Sequence, residues 1–286
     1  MIEVEALSVR YPGATAEAVR AVSFEVARGE IFGFLGPSGA GKSTTQKALT
    51  GLLRGFGGHV RVAGTDVAAS GSELYERIGI AFEVPHLFGK LTAGENLRFF
   101  ARLYDGPTED PRRLLEAVGL DDVADERVER LSKGMRGRLE VARALIHRPQ
   151  IVFLDEPTSG LDPGYAALIK DLIRERREAG TTVFLTTHNM TVADQLCDRV
   201  GFLVDGQLAT VDDPQRLKIA HGTKTVRVEY GVDGGTAARE FPLDGVANRQ
   251  EFLELMRSER VETIHSQEAT LEDVFLRVTG RHLGGE

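Results

Sequence analysis

The residues best suited to chemistry in this chain lie in three short runs. The first, Gly36-Pro37-Ser38-Gly39-Ala40-Gly41-Lys42-Ser43, fits in full the G-x-x-x-x-G-K-[ST] pattern of a phosphate-binding loop. Its glycines let backbone N–H groups face phosphate oxygens with no Cβ in the way, and the following helix adds its positive N-terminal end. In that pattern Lys42 reaches the β- and γ-phosphates, Ser43 ligates Mg²⁺, and Thr44 adds a phosphate contact. The second run is the apolar Ile151-Val152-Phe153-Leu154, closed by Asp155 and Glu156. A carboxylate ending a buried strand is costly unless a cation or donors replace its hydration, and Mg²⁺ is that cation. Glu156, followed by Pro157, then stands where a water attacking the γ-phosphate must sit. The third run joins Leu131-Ser132-Lys133-Gly134-Met135 to Ser159-Gly160-Leu161-Asp162 further on. A serine hydroxyl and a glycine N–H at a helix start again suit a phosphate; alternatively, Ser132 merely caps its helix.

These runs need a scaffold that brings them together. The short apolar run at 31–35 leads straight into the phosphate loop, so the local order is strand, loop, helix. That helix is expected to run from 42 to about 53, where Gly55, Gly57 and Gly58 stop it before a strand at 59–63. A strand at 78–82 precedes a mostly helical region from 92 to about 128, opened by a Thr92/Glu95 capping box. Helices at 132–147 and about 163–179 alternate with strands ending at Asp155 and Thr187. Alternating β and α runs predict a parallel sheet covered by helices. After a boundary at 218–225 the pattern changes to paired strands at 224–230 and 236–241, joined by a turn at 231–235. A helix at 247–259 and a capped helix at 270–280, ended by glycine, complete a small α+β domain.

Composition sets wider bounds. With 286 residues, 42% apolar and 27% charged, the chain has the balance of an ordinary globular protein. A single cysteine, Cys197, excludes an internal disulfide and points to a reducing compartment. No apolar stretch is long enough to span a membrane, and the opening residues lack a basic, apolar leader, so the chain is expected to be soluble and cytoplasmic. A net charge of −8 opposes attraction to nucleic acid or an anionic bilayer; contact with a membrane must go through a protein partner. The acids and bases between Arg112 and Arg148, Glu140 among them, read as a solvated face.

Taken together and in order, the phosphate loop, the 131–135 run, Asp155-Glu156 and 159–162 resemble the ATP-binding subunit of an ABC transporter, over roughly three quarters of the chain. The resemblance implies a P-loop NTPase of ABC type: a parallel-sheet core, an N-terminal antiparallel β subdomain and a helical subdomain at about 84–148, within an ATPase domain at 1–219. Residues 220–286 would form the small C-terminal α+β accessory domain. It implies that Glu156 is the general base or water-positioning residue, with Lys42 and His188 completing the catalytic set, His188 as the family's switch histidine beside the γ-phosphate. Tyr11 stands where the family places a ring against adenine, or else it is a packed strand-end aromatic. Ser132 and Gly134 would cap the ATP held by the opposite subunit, and Asp162 would pass between the two sites. One phosphate loop and one such loop per chain imply two subunits, alike or related, around two ATP molecules with Mg²⁺.

The sequence also departs from the family. Where the family has a glutamine after the 78–82 strand, this chain has Glu83, a carboxylate that either ligates the metal more directly or repels ATP until closure. Lys133 and Met135 replace the commoner glycine and glutamine, as in the drug-resistance branch of ABC-2-type exporters with separate membrane permease chains. Export is favoured too by the 270–276 segment, which leaves the cargo open among a drug, a lipid or a polysaccharide. Gly137, inside a helix, implies close packing or local softness. Leu87 and Phe88 either meet the membrane subunit or belong to the core. A relative working on ribosomes or DNA would carry tandem ATPase halves or long inserted coiled coils. A small-molecule kinase would leave 132–135 and His188 without a purpose.

Overall fold

Burial patterns explain why the strands sort into different sheets. In the computed structural model, which describes residues 1–222, 224–232 and 235–281, β1 (Ile2–Val9) and β2 (Val19–Val26) bury roughly alternate side chains and pair antiparallel. With β4 (Gly57–Val62) and β5 (Thr65–Asp66) they form a four-stranded sheet of order β2-β1-β4-β5. By contrast, β3 (Ile31–Leu35) and β8 (Thr182–Thr187) are buried at every position, and β7 (Ile151–Asp155) at all but its last. That is the pattern of parallel strands covered on both faces. They occupy the middle of a six-stranded sheet of order β10-β9-β3-β8-β7-β6, completed by β6 (Ile78–Ala81), β9 (Arg199–Val204) and β10 (Gln207–Asp212). The five strands β6, β7, β8, β3 and β9 run parallel. Phe24 of the first sheet stacks on Phe32 of the second at 5.4 Å and lies 6.0 Å from Phe184, so one apolar core serves both sheets.

Six helices flank these sheets: α1 (Lys42–Leu49), α2 (Ala93–Ala101), α3 (Pro111–Ala117), α4 (Lys133–Leu145), α5 (Pro163–Glu178) and α6 (Met190–Leu196). The capping box at Thr92 and Glu95 forms at the start of α2. α1 is shorter than expected because Gly51, at φ +72°, already takes the left-handed conformation that ends a helix. The helical stretch to residue 128 breaks into α2, α3 and short 3₁₀ turns at Asp121–Val123 and Val128–Arg130.

The solvated face expected between Arg112 and Arg148 holds for Glu116, Asp121, Asp122, Asp125, Glu126 and Glu129, which are exposed. It fails on α4, where Glu140 is 1% and Arg138 3% exposed. Burial is tolerated because both are hydrogen-bonded, Arg138 to the Val118 and Gly119 carbonyls and Glu140 to Arg143. Gly137 is not closely packed: the position a Cβ would take on it is open.

Contacts divide the chain into two compact units after Val211, ahead of the boundary expected at 219/220. The second unit contains α7 (Pro214–His221), β11 (Thr225–Val232), β12 (Gly235–Pro242), α8 (Gln250–Ser258), β13 (Arg260–Gln267) and α9 (Leu271–Thr279). α7 belongs with it because it packs on α9. Its antiparallel sheet has the order β12-β11-β13 around a small core of Val226, Val228, Phe241 and Leu255. Of the turn expected at 231–235, Asp233 and Gly234 lie outside the described residues. A Thr270/Asp273 capping box opens α9, and Gly280 at φ +68° closes it.

Candidate active site

The loop after β3 takes a shape that its glycines alone permit. A Cβ on Gly36 would lie 2.1 Å from the Leu203 carbonyl oxygen, and one on Gly41, at φ +107°, 2.5 Å from that of Ala18. Lys42, at the first turn of α1, folds back to donate from Nζ to the carbonyls of Gly36 (2.6 Å) and Pro37 (3.0 Å). Burial pushes its ammonium below the usual lysine pKa, while Glu156, Asp155 and Glu83 pull it up. Three carboxylates thus face one buried cation. Ala40 is buried, and Ser43 Oγ donates to Asp155 Oδ2 at 3.3 Å.

The parallel register of β7 and β8 sets the acids. Asp155 lies opposite Thr186, whose hydroxyl donates to Asp155 Oδ1. One residue on, Thr187 Oγ1 donates to Glu156 Oε2 (2.9 Å), while the His188 amide donates to Oε1 (2.9 Å), which His188 Nδ1 also meets at 2.7 Å. Glu156 has φ +50°, a left-handed conformation that costs a non-glycine residue about 1 kcal/mol or more. The turn is held by Glu156 N donating to Thr186 O and by Ser159 N donating to Glu156 O, both at 3.0 Å. Sequence reasoning did not assign Thr186 and Thr187 a part; two threonines directly after the apolar Val183-Phe184-Leu185 were the available signal.

Ser38, Gly39, Gly41, Lys42, Ser43, Thr44, Glu83, Asp155, Glu156 and His188, with Ala18, line one cavity of about 320 Å³. Its donor set fits a magnesium nucleotide: hard oxygens on Ser43, Asp155 and Glu83, a buried ammonium, and a glycine loop opening a helix. Tyr11 joins the edge of this group, its hydroxyl 3.2 Å from Thr44 Oγ1 and its ring 39% exposed.

Ser132, Gly134 and Asp162 do not line that cavity. Ser132 Oγ accepts from Met135 N (3.2 Å) and Asp162 Oδ1 from Tyr165 N (3.1 Å), so each caps its own helix, α4 or α5. Their two loops pack together, since a Cβ on Gly134 would lie 3.2 Å from Leu161 Cδ2. Between the groups is a small pocket of about 40 Å³, lined by Glu83, Lys133, Asp155, Glu156, Ser159 and Leu161 among others. Leu87 is half-buried. Phe88 is 46% exposed and packs edge-on against Phe99, which is 41% exposed, at 4.8 Å.

Residues 19–159 match the ABC transporter family model, and residues 224–268 match the fluoroquinolone efflux ABC transporter C-terminal domain. A fluoroquinolones export ATP-binding protein of Mycobacterium tuberculosis is 56% identical over 284 residues, covering 99% of this chain and 94% of that one. The chain belongs to the ABC transporter ATP-binding family. It is the ATP-binding, ATP-hydrolysing subunit of an ABC exporter. A Nod factor export ATP-binding protein of Ralstonia nicotianae is 36% identical over 310 residues, 99% of this chain and 95% of that one. A solved ATP-binding cassette, a dimer in a post-hydrolysis state with ADP and Pi, overlays with a TM-score of 0.68 at 28% identity, covering 74% of this chain and 98% of that one. ABC subunits of this kind dimerise and work with membrane components. No described helix of this one is long and apolar enough to cross a membrane.

Proposed function

We propose that two such subunits enclose two magnesium-ATP molecules, and that hydrolysis at Glu156 reopens the pair. Lys42 and the loop amides 36–44 hold the phosphates, with Tyr11 beside the adenine. Ser43, Asp155 and Glu83 hold Mg²⁺, which when bound draws charge from the phosphate oxygens. Glu156 orients the attacking water and takes its proton as the new P–O bond forms and the bond to the β–γ bridging oxygen breaks. His188, tied through Nδ1 to Glu156, offers its other nitrogen to the γ-phosphate. The observation that carries this reading is the hydrogen bond from Ser43 to Asp155 beside a Glu156 held by Thr187 and His188.

Ser132, Gly134 and Asp162 act on the partner's nucleotide. This is supported by their separation from the Lys42 cavity and by the dimeric state of the related cassette. The aromatic patch of Phe88 and Phe99 receives a short helix of the membrane permease, which places the subunit on the cytoplasmic face of the membrane. The exported cargo is a fluoroquinolone-type drug rather than a lipid or polysaccharide, supported by the 56% identical relative and the C-terminal family match. The second unit, which begins at Asp212, stabilises or regulates the dimer.

The test is solution mass of the Glu156→Gln protein with and without Mg-ATP. A doubling of mass with nucleotide is the expected result. A monomer in both conditions would remove the composite site from a pair of these subunits alone.

A further inference from the structure

A single buried carboxylate ties the segment carrying Glu83 to α4. Glu140, two turns into that helix, accepts from the amide of Phe82 at Oε1 (3.4 Å) and from the amide of His86 at Oε2 (3.2 Å). Arg143 forks onto the same carboxylate, Nη2 to Oε1 at 2.7 Å and Nε to Oε2 at 3.0 Å. The same Nη2 donates to the Ile80 carbonyl at 2.7 Å, on the strand from which the segment springs. The Arg143 guanidinium also lies over the Phe100 ring, 4.9 Å from its centre.

Stability alone does not require this arrangement. A buried ion pair is weak evidence for stability, because apolar side chains of similar volume pack as well or better. What leucine could not do is accept hydrogen bonds from backbone that has left the sheet. β6 is an edge strand ending at Ala81, so the amides of Phe82 and His86 meet Glu140 instead of a strand partner. Both ends of 82–86 are held by one side chain, and Glu83 sits inside the span. α4 also begins at the Ser132 loop, about 12 Å along the helix axis from Glu140.

We propose that Glu140 is a positioning residue: from α4 it holds the 82–86 backbone so that Glu83 stays at the nucleotide cavity. This rests on the reading of Glu83 as a group on the metal side of the nucleotide. Arg143 neutralises the carboxylate and anchors it to β6. Through Phe100, which packs on the exposed Phe88 and Phe99, it also joins Glu83 to the aromatic patch.

The experiment uses the full chain in the Glu156→Gln background, where nothing turns over. Two readouts are taken: hydrogen–deuterium exchange across 82–86 without nucleotide, and the Mg²⁺ concentration giving half-maximal binding of a fluorescent ATP analogue. Glu140→Gln is compared with Glu140→Leu/Arg143→Met, an apolar replacement that keeps the packing. The paired replacement is expected to speed exchange across 82–86 on the order of tenfold and to move the Mg²⁺ midpoint by the same factor as Glu83→Gln; Glu140→Gln has a smaller effect in the same direction. Adding Glu83→Gln to the paired replacement moves the midpoint no further, because residues acting in series are not additive. A midpoint that answers to Glu83→Gln but not to either Glu140 variant, or shifts that multiply, would overturn the proposal. A midpoint indifferent to Glu83→Gln would refute the metal-side reading of Glu83, and the positioning role falls with it.

Discussion

The clusters around Lys42 and around Ser132 are made of similar parts, a glycine, a hydroxyl and a helix start, yet they are finished differently. Around Lys42 the side chains find partners within the chain: Lys42 in backbone carbonyls of its loop, Ser43 in Asp155, and Glu156 in Thr187 and His188. Around Ser132 the polar groups turn back on their own helices, and the nearby Gly137 has open space beside it. On the proposed reading the first is a preorganised centre, where donors fixed beforehand need not rearrange during reaction, and the second a surface that completes the partner's site.

Three substitutions break or sharpen that contrast. Lys42→Ala should lower phosphate release about 10²-fold or more while leaving thermal unfolding cooperative; a rate within tenfold of the parent would mean that the cavity is not the reaction centre. Ser132→Ala should cost about 1 kcal/mol of stability in urea, the loss of a helix cap. It should leave nucleotide affinity of the isolated subunit unchanged while turnover of the paired form falls. Weaker binding to the lone subunit would place Ser132 in its own site and erase the contrast. Gly137→Ala has the smallest effect, a gain of up to about 1 kcal/mol in the same titration, and a loss would show that the side beside α4 is not open.

Much of the phosphate site was legible because its parts are local. The loop at 36–43 and the Asp155-Glu156 strand end are contiguous patterns, and the all-apolar runs of β3 and β7 announce a covered parallel sheet. Thr92 and Thr270 likewise mark helix starts through partners three residues away. What escaped depends on register and facing. Thr186 and Thr187 matter because β8 lies beside β7 in one particular alignment, which no local pattern specifies. Glu140 looked like one more charge in a mixed run, since counting charges along a helix does not reveal which face is covered. A lone Gly51 ends α1, although the denser glycines at 55–58 are the stronger local stop signal. No local pattern distinguishes a helix-capping Ser132 from one that serves a second chain, because the hydroxyl is used identically in both.

Glu156 carries a further consequence through its backbone. A glycine would adopt the left-handed turn without Cβ strain, but it would give up the hydrogen bonds that Thr187 and His188 make to the carboxylate, so one side chain both strains the turn and ties it down. Strain and anchorage at that turn therefore cannot be changed separately by replacing residue 156. On the role proposed for Glu156, a replacement that eases the backbone there removes the acid with the strain, so the turn cannot be relaxed without giving up hydrolysis.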